Sequence, residues 1–115
     1  MRRDETVYLR HILDAIARVE EYLEGLDEGA FQRRNLVQDG VIRQLEIIGE
    51  AVKRLSADSR NKCPDIPWQD IAGMRDKLIH DYLGVDLGKV WITATEDIPS
   101  FKVKIQKLLD ETRDL

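Results

Sequence analysis

The chain has 115 residues, 18 Lys and Arg against 22 Asp and Glu, a formal charge of −4 and a pI near 5.2. That length makes one domain with a core of its own, and the acidic balance argues against a surface coated in basic patches for long nucleic acid while leaving room for a local basic site. One cysteine, Cys63, excludes an internal disulfide and suits a reducing cytoplasm; two scattered histidines make no zinc set; no apolar run nears 18 residues, so neither a membrane span nor export is expected.

Asp4 is placed to cap a first helix, with Glu5 in its first turn. Leu9, Ile12, Ile16, Val19, Leu23 and Leu26 then recur at steps of three and four, the spacing of one apolar helix face. Gly25 falls late in this helix and Gly29 in the turn beyond it. His11 lies beside the seam and is expected to be a half-buried structural histidine. A second helix is expected from about Phe31 to Leu55, with Val37, Val41, Leu45, Ile48, Val52 and Leu55 as its seam. Gly40 and Gly49 each cost about 1 kcal/mol relative to Ala inside a helix, but admit a neighbouring helix at close range. Arg43, Glu46, Glu50, Lys53 and Arg54 make a polar band of opposite charges at i,i+3 and i,i+4 spacing, which reads most simply as a solvated face.

From Ser56 to Pro67 the composition shifts to small and polar residues, and the longest loop is expected there. Pro67 is suited to open a third helix, with Asp70 complementing its N-terminus and Trp68 packing on the bundle rather than stacking on RNA bases. Ile71, Met74 and Leu78 face inward, and Gly84 offers a stop near Leu83. Asp86 is placed to cap a fourth helix running through Trp91 to about Thr95. Asp97 looks like a new cap with Pro99 just inside it, so a kink or break is expected. Phe101, Ile105, Leu108 and Leu109 form the last seam, with Lys102, Lys104 and Lys107 outside it as solvated charge. Helical patterns fill the chain and no alternating strand run competes. Residues 1–115 therefore form a single all-α domain, an antiparallel bundle of four to five helices.

Within Arg75-Asp-Lys-Leu-Ile-His-Asp-Tyr82 the chain carries a guanidinium, an ammonium, an imidazole and a phenol. Arg and Lys suit phosphate, and His is the side chain that changes protonation near neutral pH. On an ideal helix Arg75 and Tyr82 lie within about 20° of each other, whereas Arg75 and His80 are about 140° apart. His80 thus points away from the side bearing Leu78 and does not look like core.

Arg75-x4-His80-x-Tyr82 resembles the signature of the HEPN superfamily, and more narrowly the HepT-like ribonuclease toxins encoded beside a minimal nucleotidyltransferase antitoxin. The flanks are similar too: Arg43-Gln-Leu-Glu-Ile-Ile-Gly-Glu-Ala-Val-Lys-Arg54, Ile66-Pro-Trp followed by Ile71-Ala-Gly-Met-Arg75, and His80-Asp-Tyr-Leu-Gly-Val-Asp86 followed by Val90-Trp91. The similarity covers essentially the whole chain. It implies a HEPN-like homodimer in which the motif residues of both protomers line one cleft, so that Arg75 and His80 are the catalytic residues. It also implies that Tyr82 receives AMP from the partner nucleotidyltransferase. Lys77, Asp76, Glu46 and Glu50 are candidate supporting residues, with Glu46 or Glu50 orienting Arg75 or His80.

RNA carries its own nucleophile, the 2′-hydroxyl beside each phosphate. Cleavage then needs a base, an acid and a cation for the phosphate oxygens, with no metal or other cofactor. The expected function is a metal-independent endoribonuclease toxin of a type VII-like pair, silenced when AMP on Tyr82 blocks the cleft by bulk and charge. The alternatives are a non-catalytic helical docking subunit of a nucleotidyltransferase complex and a purely structural dimeric bundle.

Overall fold

The computed structural model describes residues 5–80 and 84–113. Asp4 and Tyr82, expected as a cap and as a site residue, lie outside the described residues, as does the expected stop near Leu83. Among the described residues the chain is helical with no strand. Four long rods carry the bundle: α1 (Thr6–Leu23), α3 (Asn35–Lys53), α5 (Trp68–His80), and α6 (Leu87–Ile92) running on into α7 (Ile98–Arg113). Two five-residue helices, α2 (Glu28–Gln32) and α4 (Ala57–Asn61), sit in the connections. The rod from Leu87 to Arg113 accounts for the long axis of the 46 × 29 × 22 Å body, since its residues span roughly 40 Å at helical rise.

The core follows the seams. Leu9, Ile12, Ile16 and Val19 of α1 meet Val41, Leu45, Ile48 and Val52 of α3, and Phe101, Ile105, Leu108 and Leu109 of α7 close the other side. Helix α3 is the hub, packed on α1 along one flank and on α5 along the other. The two glycines of α3 make both approaches close. A Cβ on Gly40 would sit 3.1 Å from the Tyr22 ring of α1, and one on Gly49 would collide with the Cβ of Arg75.

Several boundaries differ from the periodicity. Helix α1 ends at Leu23, and Gly25 lies in the turn beyond with φ +75°, a backbone region suited to glycine. The expected second helix is broken: Asp27 caps α2 through Oδ1 accepting from Ala30 N at 2.8 Å, so Gly29 is helical, and α3 starts only at Asn35. Buried Gln38 donates from Nε2 to the Phe31 carbonyl at 2.9 Å and satisfies the break. Apolar spacing is continuous through this region and does not report it, because the break turns on a cap and a side-chain-to-backbone bond.

The expected loop after α3 contains α4, capped by Ser56 Oγ accepting from Ser59 N. Glu5 is buried beside it. Its carboxylate accepts from Ser56 N at 2.6 Å, Ser56 Oγ at 3.1 Å and Ser59 Oγ at 3.0 Å. Trp68 is buried, as expected, with its ring edge-on to Phe101 and Nε1 donating to the Arg60 and Cys63 carbonyls. Burial and the nearby Asp65 push the Cys63 thiol up from its ordinary value.

Asp86 caps α6, Oδ1 accepting from Lys89 N at 3.1 Å. Asp97 is not a cap. The helix continues through a π-helical turn, Thr93–Asp97, in which Ile98 N donates to the Thr93 carbonyl. Pro99 explains that widening, since its ring lacks an N–H and would clash with the carbonyl four residues back in a regular α-helix. Lys102 and Lys104 are not plain solvated charge: they pair with Glu20 and Asp65 at 3.1 and 3.0 Å. The Lys104 ammonium holds the Asp65 carboxyl below the usual carboxylate range.

Candidate functional site: an arginine held between two helices

Arg75 occupies the middle of α5, and its position is dictated by Gly49. With no side chain on Gly49, α5 lies against α3 and the Arg75 stem runs across it. The guanidinium then meets two carboxylates. Nη1 donates to Asp76 Oδ1 at 2.9 Å, and Nε lies 3.1 Å from Glu50 Oε2 of α3. The Glu50 contact is an ion pair without hydrogen-bond alignment, for the buried Nε–H has no acceptor in line. Among the described residues the hydrogen bond that the guanidinium donates is the one from Nη1 to Asp76.

The charges extend outward in alternation. Asp76 also meets Lys53 at 3.2 Å, Glu50 meets Arg54 at 3.4 Å, and Glu46 meets Arg43 at 3.7 Å. The polar band of α3 is therefore half solvated face and half cross-helix clamp on α5. The hydrogen bond to Asp76 and the Glu50 charge raise the Arg75 guanidinium above its already high ordinary value, outweighing desolvation. The Arg75 hydrogen bond, then that of Lys53, holds the Asp76 carboxyl below the usual carboxylate range. Arg75 is thus a permanent, positioned cation whose side chain is 27% exposed.

That exposed part opens into a cleft of about 320 Å³ between α1, α3 and α5. Tyr8, His11, Arg43, Glu50, Arg54 and Arg75 are on its walls. Glu46 lines it as well, and Ile79 closes one side. Such a cleft can hold an anion by charge and a flat apolar group by contact.

The expected site residues divide. Arg75, Asp76, Glu46 and Glu50 come together here. Lys77 is exposed on another side of α5 and lines a separate cavity of about 280 Å³ with Leu45, Met74 and Val90. His80 is the last described residue of α5, is exposed, and is not on the walls of the Arg75 cleft. Tyr82 lies outside the described residues.

His11 is the correction. It is exposed rather than half-buried, and it faces the Arg75 cleft. Its ring is edge-on to Tyr8, with centroids 6.4 Å apart. The i,i+3 spacing of Tyr8 and His11 places them on one face of α1, but only the packing of α1 on α3 turns that face toward Arg75. Among the described residues no three His, Cys, Asp or Glu side chains converge as a metal set, and no helix is long and apolar enough to cross a membrane.

A sequence profile of the family described as Ribonuclease HepT-like matches residues 12–108. A Thermococcus cleftensis protein named "Probable ribonuclease HepT" is 46% identical over 108 residues, 94% of this chain and 98% of that protein. A Methanocaldococcus jannaschii protein, named as a γ-glutamylcyclotransferase and candidate RNase, is 47% identical over 111 residues. The match takes in 96% of this chain but only 50% of that protein, so the chain spans half its length. A second M. jannaschii protein, named as a candidate RNase, is 40% identical over 113 residues, 98% of this chain and 97% of that protein. No solved structure matches the chain. With a profile match over residues 12–108 and relatives aligned along almost their full length, the chain belongs to the HepT-like ribonuclease family.

Proposed function

We propose that this chain is a metal-independent endoribonuclease toxin of a type VII-like toxin–antitoxin pair, acting as a homodimer in the cytoplasm. The observation that carries this reading is Arg75. Glu50 and Asp76 restrain its guanidinium from two sides, the side chain stays 27% exposed, and the cleft beyond is rimmed by Arg43 and Arg54. A restrained, partly exposed guanidinium suits a phosphate whose oxygens gain charge in the transition state. His80 follows on the same helix, exposed and five residues on, as an imidazole for proton transfer.

The RNA 2′-oxygen attacks phosphorus as the bond to the 5′-oxygen breaks. One imidazole takes the 2′-proton and an acid returns a proton to the 5′-oxygen. In a dimer with the two motifs facing, a second His80 supplies that acid. The products are a 2′,3′-cyclic phosphate and a free 5′-hydroxyl. DNA lacks the nucleophile and is not cut. Tyr82, two residues past His80, takes AMP from a minimal nucleotidyltransferase. The added bulk and negative charge close the cleft to RNA.

RNA cleavage in excess EDTA tests this, comparing the parent with His80→Ala purified alongside it. Cyclic-phosphate ends from the parent and loss of cleavage in the variant are expected. Equal cleavage by both, or fresh 3′-hydroxyl ends, overturns the assignment. An inert parent with unmodified Tyr82 turns the reading to a docking subunit.

A further inference from the structure

The cleft that receives Arg75 has one imidazole among its walls, and it belongs to His11. Arg75 and His80 are separated by about 140° around α5, and the Arg75 stem faces Gly49 of α3. The helix that brings Arg75 to the cleft therefore carries His80 away from it within one protomer. His11 enters the same space from α1, which is packed on the opposite flank of α3.

We propose that His11 is a second catalytic histidine, exchanging a proton with the RNA whose phosphate is held by Arg75 of the same protomer. The inference rests on the ribonuclease reading and gives His11 one of the two proton transfers assigned there to the pair of His80 side chains. Three features support it. The cleft is small, so a phosphodiester on Arg75 lies close to the other walls. Its walls bring three guanidiniums, Arg43, Arg54 and Arg75, to one opening beside Glu46 and Glu50, with Asp76 held on Arg75 from outside the walls. Its imidazole is solvent-accessible, and Tyr8 packs edge-on beside it, one turn back on α1.

The reaction needs two proton movements, one from the 2′-oxygen as it bonds to phosphorus and one to the 5′-oxygen as its bond breaks. His11 performs one of them and His80 of the facing protomer the other, since the His80 beside Arg75 in sequence is not on the walls of this cleft. Each histidine is then needed once per turnover, and neither can replace the other.

The test uses the full chain, unmodified at Tyr82, with oligoribonucleotide in excess EDTA. Parent, His80→Ala, His11→Ala and His11→Gln are compared, with pH–rate profiles for each. His11→Gln is expected to lose about 10²–10⁴-fold in kcat/KM, the usual range for a lost proton-transfer group. Its Tm and helical content should match the parent, because the side chain is exposed. One limb of the parent's bell-shaped profile should vanish. A substrate with a nitrophenolate leaving group, which needs no acid, should recover His11→Gln if His11 protonates the 5′-oxygen. If the rate stays low, His11 is the base.

Parental rate and profile in both His11 variants, with His80→Ala inactive, would overturn the inference and leave the ribonuclease reading intact. A uniform fall with both limbs kept would reduce His11 to a positioning residue and overturn the catalytic assignment. A parent that does not cleave would remove both readings together.

Discussion

Gly49 of α3 and Arg75 of α5 meet with no room for a side chain between their helices. A Cβ on Gly49 would collide with the Arg75 Cβ and stand 3.1 Å from the Ile71 carbonyl. The stem of the candidate phosphate-binding arginine is thus part of the helix contact itself. Gly49→Ala should therefore damage fold and site together. Alanine gains about 1 kcal/mol of helix propensity over glycine, but forcing atoms into a packed contact costs about 1–3 kcal/mol. A net loss of about 1 kcal/mol is expected in urea unfolding. The fall in RNA cleavage should exceed what the unfolded fraction explains.

Glu50 touches Arg75 without being core, so it separates position from stability. Its side chain is 40% exposed and also pairs with Arg54. Glu50→Gln keeps the shape and removes the charge. Cleavage should drop about 10–100-fold in kcat/KM, the scale of a slightly misplaced catalytic group, with Tm nearly unchanged. Parental kinetics would show that Asp76 alone positions the guanidinium.

Asp76 predicts an acid-side stability dependence. Its folded carboxyl is held below the ordinary carboxylate range by Arg75 and Lys53. A group depressed on folding contributes above its unfolded value, and the contribution is lost as pH falls through the folded one. Stability of the parent should decline from the ordinary carboxylate range downward, and Asp76→Asn should flatten that decline. Asp65, lowered by Lys104, contributes in the same direction, so Asp65→Asn added to it should flatten the curve further. Urea titrations at a series of acid pH values measure both.

The Glu5 cluster should prove structural. The carboxylate joins the start of α1 to the turn before α4 through Ser56 and the fully buried Ser59. Glu5→Ala should cost about 2 kcal/mol, because buried donors lose a charged acceptor. RNA cleavage below the unfolding transition should stay near parental, since Glu5 is not on the walls of the Arg75 cleft.

Trp68→Phe offers a control on the other side of the bundle. The ring stays aromatic, but Nε1 no longer donates to the Arg60 and Cys63 carbonyls. A loss of about 1–2 kcal/mol is expected, with RNA affinity unaltered. A selective loss of RNA binding would reveal the stacking role that burial of the ring argues against.

The sequence by itself determined the all-α class and the apolar seams, and it singled out the stretch from Arg75 onward as the candidate site. Those depend on local periodicity and on residue type, and both are written along the chain. It also marked Gly40 and Gly49 as places for close approach, because a missing side chain inside a helix needs a reason. It did not show the break before Asn35, the helix α4, or the continuous π-turn at Asp97. Each depends on a bond or a clash between particular groups: Gln38 with the Phe31 carbonyl, Ser56 with Ser59, and Pro99 with the preceding turn. Only the tertiary structure decided what faces Arg75. His11 lies 64 positions before it and carries no local sign of the cleft. Its place follows from two helix packings in series, α1 on α3 and α3 on α5, and helix packing is set by whole faces, not by any single residue.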